Sequence, residues 1–138
     1  MKIKNSELEK YLATINKLAE STNIGNVSVQ YSIYKLSKVL LAEYNNYIEF
    51  RKKIEAKYFV IENGIVVMEE ESNKPVFQEG KQMVDYVNEL TELFEEEVDV
   101  PVNFTITMED LDKAANAGEI APKDFAILEK FFPPEVVS

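Results

Sequence analysis

Apolar residues along this chain follow two different periods. Leu8, Leu12, Ile15 and Leu18 (or Ala19) recur at spacings of three and four, which predicts an amphipathic first helix. The run Ser6-Glu7-Leu8-Glu9 in front of it has capping-box spacing and sets the expected start near Ser6. Asn23 to Asn26, around Gly25, reads as a turn. A second helix is expected from about Ser28 to Lys57 or Tyr58. Its stripe is Ile33, Leu36, Leu40, Tyr44, Tyr47, Ile54 and Tyr58, interrupted by the charged Arg51. Thirty residues at about 1.5 Å each make a rod of about 45 Å, longer than a chain of this size is wide. Either part of it packs against another copy, or later segments fold back along it.

The period then shortens. Phe59 to Met68 reads as a hairpin around Asn63-Gly64, the dipeptide suited to a tight turn with two positive φ angles. A polar stretch from Glu69 to Lys74 ends at Pro75. A third helix is expected over residues 79–96, with Met83, Val87, Leu90 and Phe94 facing inward. Val98, Val100, Val102, Phe104 and Ile106 alternate with polar residues and Pro101, the pattern of a strand buried on one face. Thr107 and Asp110 have the spacing to cap a short helix over residues 108–116, with Gly118 past its end. Pro122 suits the first turn of a last helix bearing Phe125, Leu128 and Phe131 or Phe132, stopped by Pro133-Pro134. The expected fold is α+β in one domain over residues 1–138. It comprises an N-terminal helical hairpin with one long helix, a small antiparallel sheet from residues 58–68 and 98–106, and short C-terminal helices.

Charge changes the picture more than composition does. The chain has 138 residues and a net charge of -10. Residues 1–60 hold ten Lys and Arg against six Asp and Glu; residues 61–138 hold five Lys against nineteen acids. A +4 half is thus followed by a -14 half. The simplest account is that the basic cluster Arg51-Lys52-Lys53, with Lys57, docks on the chain's own acidic half or on that of a second copy. An acidic chain is not expected to bind nucleic acid directly, because that affinity comes from counterions displaced by Lys and Arg. A basic protein surface is the natural partner. No apolar run is long enough to span a membrane, and no signal-peptide pattern opens the chain.

With no Cys and no His, thiolate chemistry, zinc–thiolate sites and imidazole acid–base catalysis are excluded. The four glycines stand too far apart for a phosphate loop. Ser32, Lys35 and Ser37 give only a weak Ser–Lys spacing. The acidic runs lack EF-hand order, and successive Glu residues on a helix point about 100° apart. The expectation is therefore no enzyme, no cofactor, and no catalytic or metal-ligating residue. The candidate interface is Tyr34, Tyr44, Tyr47, Phe50 and Arg51, because aromatic residues and Arg dominate binding hot spots. The candidate acidic face is Glu69, Glu70, Glu71, Glu95, Glu96, Glu97 and Asp99.

Several segments carry a resemblance: the opening MKIKNSELEK, a long helix entered through VSV and closed by RKKIEAKY, the ENG turn, the acidic EEEVDVPV strand and the terminal APKDFAILEKF helix. By order and texture over nearly the whole chain these resemble a family of small proteins in tailed phages and prophages of low-GC Gram-positive bacteria, a domain without assigned function. The segment YFVIENGIVVME departs from that family's shorter, more polar counterpart. The resemblance implies a phage origin and a non-enzymatic accessory role, by protein–protein binding in assembly or in the virion. It carries over no site residues. The alternative is an acidic inhibitor of a host defence or nucleic-acid-binding protein, acting as a nucleic-acid mimic. Both place the protein in the host bacterial cytoplasm, the first also in the virion.

Overall fold

The computed structural model describes residues 1–131, so the expectations for Phe132 and Pro133-Pro134 lie outside the described residues. The element order is β1 (Lys2–Lys4), α1 (Leu8–Ala19), α2 (Val27–Tyr58), β2 (Ile61–Glu62), β3 (Ile65–Val66), α3 (Met83–Glu95), β4 (Glu97–Asp99), α4 (Met108–Asn116) and α5 (Phe125–Leu128), with short 3-10 turns before α1 and on both sides of α5. The class is α+β, with a long second helix and short C-terminal helices as expected. Within it, contacts gather into two compact units: residues 1–44 with 97–138, and residues 45–96. The long helix supplies residues to both.

The first unit is closed by its ends. Strand β1 runs antiparallel to β4, with Lys2 opposite Asp99, Ile3 opposite Val98 and Lys4 opposite Glu97. Opposite charges therefore face each other across the ladder, while Ile3 is buried between the two lysines. The N-terminal ammonium donates to the Asp99 carboxylate at 3.1 Å and to the Val100 carbonyl at 2.9 Å. This corrects the expected sheet. The 98–106 segment pairs with the chain's first residues and not with the hairpin, and only Glu97–Asp99 forms a strand. Beyond it the alternation survives as burial: Val100 and Ile106 are buried, and Val102 and Phe104 half-buried.

Helix α1 begins two residues later than its signal. The carboxylate of Glu7 accepts from the Lys4 N–H at 3.3 Å, so a 3-10 turn over Asn5–Glu7 precedes the helix and Ser6 does not cap it. The buried face is Leu8, Tyr11, Thr14, Ile15 and Leu18, with Tyr11 in the place expected for Leu12. Helix α2 is entered through Asn26, whose side-chain oxygen accepts from the Val29 N–H at 3.0 Å. Gly25 just before it has φ +59°, and a Cβ there would meet Val29 at 2.9 Å. Thr107 caps α4 as expected: its hydroxyl accepts from Asp110 N–H at 3.1 Å, and the Asp110 carboxylate accepts in return. That carboxylate also takes the Gly25 N–H at 3.2 Å, tying the α1–α2 turn to α4.

Asp124 holds α5 against α1. Its buried carboxylate accepts from Thr14 Oγ1 at 3.0 Å, Lys17 Nζ at 3.0 Å and the Ala121 N–H at 2.9 Å. Burial alone would raise its pKa. The hydrogen bonds from Ala121, Lys17 and Thr14 outweigh that and hold it below the usual carboxylate range.

The second unit is built on aromatics. Asn63 and Gly64 both have positive φ, 54° and 77°, and join β2 to β3 in the expected two-residue turn. The polar stretch after β3 makes a second turn. It closes through bridges between Met68 and Pro75 and between Phe59 and Phe77. Gln78 then returns its side-chain amide to the Ala56 and Phe59 carbonyls at 2.8 and 2.9 Å, satisfying the C-terminal end of α2. The core is Ile54, Tyr58, Phe59 and Tyr86, with Val66, Phe77, Leu90 and Leu93 packed around it. The Phe59 ring lies 5.0 Å from Phe77 and 4.6 Å from Tyr86.

Candidate functional site

The last three turns of α2 and the helix α3 lie antiparallel within the second unit. Arg51 sits over the Phe94 ring at 5.6 Å, and further along Lys57 is hydrogen-bonded to Glu89. The later segment thus folds back along the long helix, one of the two outcomes its length allowed. Between the helices runs a groove of about 670 Å³. Helix α2 contributes Phe50, Lys53, Ile54 and Lys57, at spacings of three, four and seven. Helix α3 contributes Glu89, Glu92 and Leu93 at the same spacings of three and four, and Glu96 follows at its C-terminal cap. Identical spacing puts each set on one helix face. The result is an apolar line of Phe50, Ile54 and Leu93 with a basic rim on the α2 side and an acidic rim on the α3 side.

Electrostatics at one end of the groove are closed internally. Hydrogen bonds from Lys57 and Tyr58 hold Glu89 below the usual carboxylate range. The same hydrogen bond to Glu89, with some burial, pushes the Tyr58 hydroxyl up to about 12. Lys53 and Glu92, by contrast, have no ion-pair partner among the described residues.

The sequence-derived interface residues divide. Tyr34 is exposed in the first unit, stacked at 6.4 Å on Tyr31 with Lys38 over its ring at 5.0 Å. Tyr44 is half-buried. Tyr47 is buried in the second unit, 6.1 Å from Phe94, and its hydroxyl accepts from Arg51 at 3.3 Å. Arg51 is half-buried among Tyr47, Phe94 and Glu55, so its charge serves internal packing. Phe50 alone of the five lines the groove, and it is 53% exposed.

The acidic residues divide as well. Glu69, Glu70 and Glu71 are exposed at the second turn of the second unit, with Glu69 accepting from Ser72 at 2.6 Å. Glu95 and Glu96 end α3, and Glu96 belongs to the groove. Glu97 and Asp99 lie in the first unit, on β4 opposite Lys4 and Lys2. Three charges of the basic cluster are paired, Arg51 with Glu55 and Lys52 with Glu49 along α2 and Lys57 with Glu89 on α3, while Lys53 has no such partner among the described residues. No group of three or more acidic side chains that could hold a metal ion occurs among the described residues.

Sequence reasoning missed the acidic rim and the outward turn of α3. Of the expected stripe Met83, Val87, Leu90 and Phe94, Leu90 and Phe94 turn inward, but Tyr86 and Leu93 take the place of Met83 and Val87, which are exposed along with Val84. Burying the large Tyr86 ring against Tyr58 and Phe59 outweighs burying two smaller aliphatic side chains. The spacing of Glu89, Glu92 and Glu96 was legible, but only the packing shows it facing Lys53 and Lys57. No helix among the described residues is long and apolar enough to cross a membrane. Comparison with protein-family models, curated proteins and solved structures finds no match for this chain.

Proposed function

We propose that this is a non-enzymatic accessory protein of a phage that works by binding protein, in assembly or as a virion part, within the host bacterial cytoplasm. The observation that carries the binding reading is the groove of the second unit. An apolar line with charged rims is the anatomy of a protein-binding surface, with the rims fixing orientation and the line supplying affinity. The outward-facing Ile65, Met83, Val84 and Val87 of the same unit add to its exposed apolar surface. The phage assignment is supported by the sequence resemblance alone.

The second reading, an acidic inhibitor of a host nucleic-acid-binding protein, is favoured by the exposed Glu69–Glu71 turn and the net charge of -10. One experiment separates the two. The tagged protein is used to capture partners from host lysate, with and without infection, and eluted by a salt gradient. Phage structural proteins that stay bound through high salt, and are lost when Phe50→Asp is used, support the accessory reading. A host nucleic-acid-binding protein released at moderate salt and displaced by DNA or RNA supports the inhibitor, because exposed charge contacts are screened. Capture that ignores Phe50→Asp removes the groove from the account.

A further inference from the structure

The groove contains both halves of its own complement. Its rims carry opposite charge, so a uniformly basic partner would satisfy the Glu rim and be repelled by Lys53 and Lys57. A uniformly acidic partner would meet the reverse. A partner that fits must carry an acidic edge and a basic edge on either side of an apolar line. The same surface on a second copy of this chain has that layout.

We propose that the groove is a self-docking surface, on which two copies pack α2–α3 face against α2–α3 face about a two-fold axis parallel to the helices. The proposal rests on reading the groove as a protein-binding surface and names its occupant. Only this two-fold suits the charges. An axis along the helices exchanges the two sides of the groove while keeping position along it, so each basic rim meets the other copy's acidic rim. An axis across the helices would set lysine on lysine and glutamate on glutamate, which opposes association.

The level of each residue follows from the antiparallel packing of α2 on α3. Arg51 is level with Phe94 and Lys57 with Glu89. Lys53 is therefore level with Glu92. About the proposed axis, Lys53 of each copy faces Glu92 of the other; neither charge, like Glu96 at the end of the acidic rim, has an ion-pair partner within the chain's described residues. Between them, the exposed Phe50 and half-buried Leu93 of the two copies close over the buried Ile54 and remove apolar surface from water. Because the contact is isologous it stops at two copies.

The test is the solution mass of the full chain by sedimentation, for the natural protein, Lys53→Glu, Glu92→Lys and an equimolar mixture of the two variants. The natural protein is expected to be a dimer at about 100 µM. Each variant alone places like charges at both contacts and is expected to weaken association at least about tenfold, giving monomers. In the mixture both contacts again join a cation to an anion, so dimers return. A fold damaged by either substitution could not be repaired by mixing, and unchanged circular dichroism of each variant checks this directly. A monomeric natural protein overturns the proposal, as does a dimer insensitive to both variants or a mixture that stays monomeric. If the natural protein is monomeric yet Phe50→Asp abolishes capture of a protein partner, self-docking fails while the binding reading stands.

Discussion

The two units solve the burial problem differently. The most deeply buried large side chains among the described residues, including Ile3, Leu8, Ile15, Ile33, Leu111 and Leu128, all belong to the unit formed by residues 1–44 and 97–138. They are aliphatic, and each contributes about 1.5–3 kcal/mol by leaving water. The unit of residues 45–96 relies instead on Tyr47, Ile54, Tyr58, Phe59 and Tyr86, none of which is completely covered. A small unit has too little volume to enclose aliphatic side chains on every side. Aromatic rings suit it because they bury a large area on one face and keep a polar tip at the surface. The same shortage leaves Phe50, Ile65 and Val84 more than half exposed. The first unit thus encloses its core completely, and the second does so only in part.

The comparison can be broken by mutation. The largest effect is expected from Leu111→Ala, a cavity in the completely buried core of the first unit. It should cost about 3–4 kcal/mol in urea unfolding, against about 2 kcal/mol for Ile54→Ala in the second unit. Equal losses would show that the two cores are equally packed. Asp124→Ala should cost about 2 kcal/mol, because it leaves the buried Thr14 hydroxyl without an acceptor and unties α5 from α1. A loss below about 0.5 kcal/mol, the neutral range of surface changes, would make the Asp124 network incidental.

Acid and alkali should act on different hydrogen-bonded groups. The folded-state pKa of Asp124 is depressed, so its contribution is complete above the ordinary carboxylate value of 3.8 and is lost as pH falls below it. The Tyr58 hydroxyl is raised from 10.0 to about 12, so its contribution is complete below pH 10.0 and is lost as pH rises through that interval. Amide exchange followed by NMR should show protection around Asp124 and its donor Ala121 falling in acid, and protection around Tyr58 falling in alkali. Unchanged protection at both places would mean that neither hydrogen-bonded group contributes to local stability.

Smaller effects are expected at the surface of the second unit. Gly64→Val introduces a branched side chain at φ +77° with nothing nearby to clash, so the cost is backbone strain alone, about 1–2 kcal/mol. An unaltered melting temperature would mean that the β2–β3 turn opens without consequence. Val84→Asp should change stability by less than about 0.5 kcal/mol, since the residue is already exposed. A larger loss would show that α3 turns this face toward a partner.

Local signals were legible in the sequence wherever the deciding interaction is itself local. The Asn63-Gly64 turn, the Thr107–Asp110 cap and the extent of α2 follow from backbone preferences over a few residues, and the fold class followed from them. The expected capping box at Ser6 gave way to the turn that Glu7 makes with Lys4, a competing local bond of similar strength. Strand β1 was readable in principle: Lys2-Ile3-Lys4 alternates and is the charge complement of Glu97-Val98-Asp99. Three residues are too short to register as a strand without their partner, which is over ninety positions away. The helix faces were decided only by packing. Period alone cannot say which of two apolar stripes on α3 turns inward; the rings of Tyr58 and Phe59 choose the Tyr86 side. Likewise the sequence named Tyr47, Phe50 and Arg51 together as contact residues, but adjacent positions on a helix face different directions. The packing of α3 covers Tyr47, half-covers Arg51 and leaves Phe50 open beside the glutamate rim, so the groove exists only in the tertiary structure.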